Sequence, residues 1–259
     1  MTETLLCKTD DRGVTTLSLN RPERRNAFDG HLMVALIAHL EALQQDPASR
    51  VLVLTGSGKT FCSGADLAWI ETVIEEGEAS NEADAAQLAS MMQALYAFPK
   101  PTIARVNGAA YGGGVGLIAC CDIAIASETA EFAFSEVRLG LVAAAIAPYV
   151  LAAMGSRNAR RLLLSAQAFS SQQAQAMGLV FTSVADAALD EAVEEQLYHL
   201  LQGEPNAQLE TKRLIQHLVD DDEGILTQTA ELSARVRASA GARHRIQAFL
   251  KRHKSDRER

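Results

Sequence analysis

The chain has 259 residues, 48% of them hydrophobic and 22% charged, with a net charge of −8, a composition that suits one large soluble domain or one domain with an appendage. The acidic balance argues against nucleic acid or anionic membrane as partners and leaves room for a local basic patch toward an anionic ligand. The opening MTETLLCKTDDRG lacks a basic segment followed by an apolar run, and no stretch reaches the roughly 18 apolar residues of a membrane span, so a cytoplasmic protein is expected.

In chain order, Val14–Leu19 alternates as a strand, and NRPERR at 20–25 breaks it. Leu32, Leu36, Leu40 and Leu43 then share a helical face behind Asp29, a suitable cap, and the helix should end at Asp46-Pro47. Residues 51–54 read as a buried strand entering the turn-rich TGSGKTFCSGAD. An acidic, mobile connection is expected over 75–84, followed by a helix to about Phe98. Pro99-Lys100-Pro101 breaks that helix and leads into a strand at 102–106. A glycine-rich helix at 112–120, strands at 123–126 and 132–134 and a helix from about Ala143 complete an alternation typical of α/β architecture. Beyond Asp190 the patterns are helical, ending in RHRIQAFLKRHKSDRER. Two regions are therefore expected, 1–195 and 196–259. Cys7, Cys62, Cys120 and Cys121 form no CxxC pair and read as buried reduced thiols; neither they nor the six histidines suggest a metal.

Two loops, FCSGADL at 61–67 and NGAAYGGGVG at 107–116, follow buried strands and open toward helices. Helix starts carry unpaired N–H groups and the positive end of the dipole, which suits them to an anion or a developing oxyanion. Glycine takes four of the five positions from 112 to 116, and each costs about 1 kcal/mol against alanine inside a helix, so close approach or unusual dihedrals must excuse them. Tight packing or a dinucleotide loop are the alternatives, although GGGVG departs from the GxGxxG pattern.

LNRPERRNAF (19–28), FCSGADL (61–67), KPTIARVNGAAYGGGVGLIACCDIAIAS (100–127), FSEVRLGL (134–141) and a weaker AFLKR (248–252) together resemble the crotonase, or enoyl-CoA hydratase/isomerase, superfamily. The resemblance implies an α/β spiral of ββα units with a C-terminal helical region that drives trimers or hexamers. It also implies an acyl-CoA substrate and no further cofactor, coenzyme A being part of the substrate. By that resemblance the N–H groups of Ala65 and Gly113 form an oxyanion hole for the thioester oxygen, with the glycines letting the thioester lie against the helix N-terminus, and Glu136 moves a proton.

Arg24 and Arg25 would face the CoA phosphates, with Ala27, Ser63, Asp66 and Leu67 in the substrate-binding motifs. Phe249 and Arg252 of a neighbouring subunit would meet the adenine and a phosphate, and Trp69, Met91 and Met92 would be pocket wall or core. Simple hydratases of this family place a second glutamate three residues after the oxyanion glycine, where this chain has Gly116. That absence, and VRLGLVAAAIAPYV after Glu136, are similar to the branch that hydrates 3-methylglutaconyl-CoA or isohexenylglutaconyl-CoA. Repulsion between a second carboxylate and such an anionic substrate would account for the glycine, and Arg138 is either the partner of the distal carboxylate or a loop-orienting residue. An isomerase, a decarboxylase and a non-catalytic acyl-CoA binder remain alternatives; an RNA-binding crotonase is disfavoured by the charge.

Overall fold

The computed structural model describes residues 3–219; the expectations for Phe249 and Arg252 lie outside the described residues. The chain opens with β1 (Leu5–Thr9), β2 (Val14–Leu19), α1 (Gly30–Gln45), β3 (Val51–Gly56), β4 (Thr60–Cys62), α2 (Leu67–Glu76) and α3 (Glu78–Tyr96). It continues with β5 (Thr102–Val106), β6 (Ala109–Tyr111), α4 (Gly113–Cys120), β7 (Ile123–Ser127), β8 (Glu131–Ala133) and α5 (Ala147–Ser165). β9 (Phe169–Ser170), α6 (Ser171–Ala176), β10 (Thr182–Val184), α7 (Leu189–Gln202) and α8 (Pro205–Val219) follow.

Among the described residues the strands form two sheets, ordered β1-β2-β3-β5-β7-β10 and β4-β6-β8-β9. Successive strand pairs, β3/β4, β5/β6 and β7/β8, put one strand in each sheet before a helix returns, which is the α/β spiral of ββα turns. The large sheet is parallel from β2 through β10. Its central strand, β3, is buried at every position, as a parallel strand covered on both faces must be.

The first helix forms as its pattern predicts. Asp29 accepts a hydrogen bond from the Leu32 N–H, and Leu32, Leu36, Leu40 and Leu43 are buried. The acidic connection at 75–84 is instead helical: α2 ends at Glu76, Gly77 turns with φ 109°, and α3 begins at Glu78. Asp84 there accepts a 2.7 Å bond from Trp69 Nε1. An exposed acidic helix start has no apolar face to advertise it, and the apolar stripe begins only at Met91 and Met92. Likewise the helix expected from Ala143 starts at Ala147, because residues 143–146 form a tight turn closed by Ala147 N–H to Ala143 O at 3.0 Å. The boundary at 195/196 falls inside α7, whose Leu189, Val193 and Leu197 pack with Val14, Val51, Val53, Ile103 and Ile125 of the large sheet. α7 therefore belongs to the spiral.

Candidate active site

Between β4 and α2 the chain runs beside residue 28: the Phe28 N–H donates to Gly64 O and the Asp66 N–H to Phe28 O, both at 2.9 Å. This short parallel bridge pairs Phe28 with Ala65 through its neighbours' polar groups, and among the described residues no hydrogen bond takes up the Ala65 N–H. Arg21 holds the arrangement together. Its guanidinium donates to Ala27 O at 2.7 Å, lies 3.0 Å from Asp29 and 3.1 Å from Asp66, and is largely buried. Arg21→Met would leave two nearly buried carboxylates uncompensated, a loss of about 3 kcal/mol. A thermal melt should show it as a marked drop in Tm; an unchanged Tm would mean the ion pairs contribute nothing.

The second loop meets the first. A methyl built on Gly64 would fall 2.7 Å from Tyr111 O and 3.4 Å from the Gly113 nitrogen. Gly112, with φ +49°, turns the chain into α4; its N–H donates to Ala133 O at 2.8 Å, and its own oxygen accepts from the N–H groups of Val115 and Gly116. The N–H groups of Gly113 and Gly114 are left as first-turn donors, on a helix buried at all eight positions. The candidate oxyanion donors thus sit on two loops in direct contact.

Packing within the protein constrains three of these glycines. A methyl on Gly113 would fall 2.4 Å from Phe28 Cζ, and one on Gly114 would fall 2.3 Å from Cys62 O. At Gly116 it would fall 2.2 Å from Ile146 Cγ2, 2.8 Å from Ile146 Cβ and 3.3 Å from Met92 Cε. A side chain at position 116 is thus obstructed by Ile146, a steric account of the missing second carboxylate beside the electrostatic one.

Glu136 opens a 3-10 turn (Glu136–Leu139) after β8. Its Oε1 would stand 2.8 Å from a methyl on Gly112, so any side chain at 112 would collide with it. Oε2 is buried without a hydrogen-bond partner among the described residues. Burial pushes this carboxyl above the ordinary glutamate range, opposed by its own backbone N–H. A carboxyl group that holds a proton more readily than usual therefore borders the first-turn donors of α4.

The basic candidates Arg24 and Arg25 are exposed on the turn Pro22–Arg24 and its left-handed exit, where Arg25 and Asn26 have φ 52° and 56°. Buried Asn26 fixes that exit, donating to Ser57 O at 2.9 Å and Thr60 O at 2.7 Å. The half-buried Ser63 ties the turn to the first loop through its N–H, 3.0 Å from Arg25 O. Of the further residues expected to bind substrate, Ala27 is buried with its oxygen accepting from Arg21, and Asp66 pairs with Arg21 and caps α2. Leu67 is 59% exposed. Arg138 is exposed and makes no ion pair among the described residues.

Met91 and Met92 are core, whereas Trp69 packs its ring on Gly30 and bonds to Asp84. The Cys62 thiol is pushed up to about 12 by burial, as for an inert core cysteine. Sequence reasoning missed Arg21, Phe28 and Ile146. Arg21 and Phe28 lie within the first motif; Ile146, in an alanine-rich stretch, carries no sequence signal.

The sequence pattern of the enoyl-CoA hydratase/isomerase family matches residues 9–258. A putative enoyl-CoA hydratase of Thermus thermophilus is 40% identical over 167 residues, 64% of this chain and 66% of that protein. The 2,3-dehydroadipyl-CoA hydratase of Escherichia coli is 37% identical over 168 residues, 64% of each. The aligned part thus spans just under two thirds of these curated relatives. The crystal structure of an enoyl-CoA hydratase from Shewanella pealeana superposes with a TM-score of 0.92 at 39% identity, covering 96% of this chain and 94% of that one. With the same spiral and a family match over nearly its whole length, the chain belongs to the enoyl-CoA hydratase/isomerase, or crotonase, family.

Proposed function

We propose that the protein adds water across the double bond of a 2-enoyl-CoA, with Ala65 and Gly113 as oxyanion donors and Glu136 as the single proton-transfer group. The observation that carries this reading is the meeting of two glycine-bearing loops with a half-buried glutamate, its Oε2 buried and unpartnered among the described residues, at the N-terminus of α4. The Glu136 carboxylate takes a proton from water as the water oxygen bonds to C3. The C2=C3 electron pair moves toward C1, and negative charge gathers on the thioester oxygen between the two N–H groups. The protonated Glu136 then returns its proton to C2 as the enolate collapses, so water is added and the carboxylate is regenerated. Each oxyanion donor is typically worth a factor of about 10² to 10³ in turnover, and the proton transfer about 10² to 10⁴.

The substrate class in this reading is a branched enoyl-CoA with a second carboxylate, such as 3-methylglutaconyl-CoA or isohexenylglutaconyl-CoA. The motif resemblance supports it, as does the relative named for 2,3-dehydroadipyl-CoA, itself a thioester with a distal carboxylate. Arg138 would meet that carboxylate. Arg24 and Arg25 would meet the CoA phosphates, beside Ser63 and Leu67, and Phe249 and Arg252 of a neighbouring subunit in a cytoplasmic trimer or hexamer would complete the CoA site.

Loss of the absorbance of the conjugated enoyl thioester tests the reaction on crotonyl-CoA and 3-methylglutaconyl-CoA. The branched acid should show the higher kcat/KM. The reverse ranking would remove the substrate class. Binding of both without an absorbance change would remove hydration, and a gain of absorbance from a 3-enoyl-CoA alone would make the protein an isomerase.

A further inference from the structure

We infer that Ile146 is a positioning residue for Glu136: its side chain, seated in the gap left by Gly116, pins the segment that carries the carboxylate to α4. This rests on the reading of Glu136 as the proton-transfer group.

Residues 136–146 connect β8 to α5 and touch the N-terminal turn of α4 at both ends. At the first end the Glu136 carboxyl lies against Gly112; at the second, Ile146 lies against Gly116. The two contacts thus fall at the N-cap and at the fourth residue of α4. Between them the segment has little hold on the core. Val137, Leu139, Leu141 and Val142 are all exposed, Val142 to 82%. The local hydrogen bonds, Leu141 N–H to Glu136 O at 2.9 Å and Gly140 N–H to Val137 O at 3.3 Å, are internal to the segment. They shape it without tying it to α4.

Ile146 is 2% exposed, and its oxygen accepts the Val150 N–H at 3.0 Å as α5 begins. A side chain at 116 would meet both Ile146 Cγ2 and Ile146 Cβ. Rotation about χ1 moves Cγ2 but leaves Cβ in place, so a larger residue at 116 can be accommodated only by shifting the backbone of the segment or of α4. Met92 Cε also borders the slot, 3.3 Å from a methyl built on Gly116. Residues 116 and 146 are thus one fitted pair, and displacing either shifts the distance between Glu136 and the first-turn donors. A misplacement of about 1 Å in a reacting group can cost about 10² in rate.

The test compares Gly116→Ala, Ile146→Ala, Ile146→Val, Ile146→Leu and the Gly116→Ala/Ile146→Ala double variant by kcat, KM and Tm on the substrate that turns over best. Gly116→Ala and Ile146→Ala should each lower kcat at least tenfold with KM near the wild-type value. Ile146→Val keeps the branch methyl that seats on Gly116 and should stay within about twofold. Ile146→Leu keeps the volume but moves the branch, and should lose more than Val. In the double variant the new methyl fills part of the space vacated at 146, so kcat should exceed the product of the two single losses. If the folded variants lose Tm but keep kcat, or Val and Leu behave alike, Ile146 is core packing alone and the inference falls. Glu136→Gln separates the two readings: activity in that variant removes Glu136 from the chemistry, whereas an inactive Glu136→Gln beside unimpaired 146 variants removes only the role of Ile146.

Discussion

Glu136→Gln is expected to bind acyl-CoA with near wild-type affinity and to turn over at least about a hundredfold more slowly, the usual worth of a positioned general acid/base. The amide is nearly isosteric, so it keeps the place beside Gly112 but can neither accept the water proton nor return it to C2. Stopped-flow or steady-state absorbance together with a direct binding measurement checks both halves; retained turnover would show that the proton moves elsewhere.

The same variant should be more stable than the wild type at neutral pH. Burial raises the Glu136 carboxyl, so folding favours its protonated form. The stability this confers is complete below the unfolded value of about 4.3 and is lost as pH rises through the higher folded value. As pH rises above the unfolded value the wild type bears the cost of this half-buried carboxyl, which the neutral amide avoids. Melts should place the Tm of the variant above that of the wild type at neutral pH, with the gap closing toward pH 4. A constant gap across that range would mean that the carboxyl titrates alike in the folded and unfolded chain.

Gly116→Glu is expected to damage the protein on every substrate. The new side chain must enter a slot already filled by Ile146 and bordered by Met92; overpacking of this kind costs about 1 to 3 kcal/mol, and an ionised carboxylate buried there without a partner adds more. At about 2 to 4 °C per kcal/mol for a chain of this size, Tm should fall on the order of 5 to 10 °C. kcat/KM should drop by similar factors on crotonyl-CoA and 3-methylglutaconyl-CoA, because the displaced segment carries Glu136 whichever acyl group is bound. Charge repulsion would act selectively. A loss confined to the anionic substrate would therefore favour the electrostatic account, and a gain on crotonyl-CoA at unchanged Tm would show that the slot is open.

Much of the fold was legible because its signals are local. The Asp29 cap and the stripe of Leu32, Leu36, Leu40 and Leu43 encode one helix with one buried face, and the continuous apolar run of β3 encodes a strand covered on both sides. The two loops and Glu136 were legible through motif spacing, and the structure brings them together. β1 left almost no trace, because four of its five residues are exposed and its pairing with β2 satisfies the backbone without an apolar pattern. The acidic start of α3 reads as a connection for the same reason.

By itself the sequence determined the α/β order, the glycine loops and the single carboxyl. Only the tertiary structure decided what packs on the glycines and how the first loop is held. A glycine records the absence of a side chain, and what fills that space comes from elsewhere in the chain: Phe28 at Gly113, the Cys62 carbonyl at Gly114, Ile146 at Gly116. Arg21 reads locally as one of several basic residues in a turn, and its role appears only when folding buries it between Asp29 and Asp66. Periodicity reports which face of an element is covered; complementary shape and charge between distant elements have no period, so their effect appears only once the chain has closed on itself.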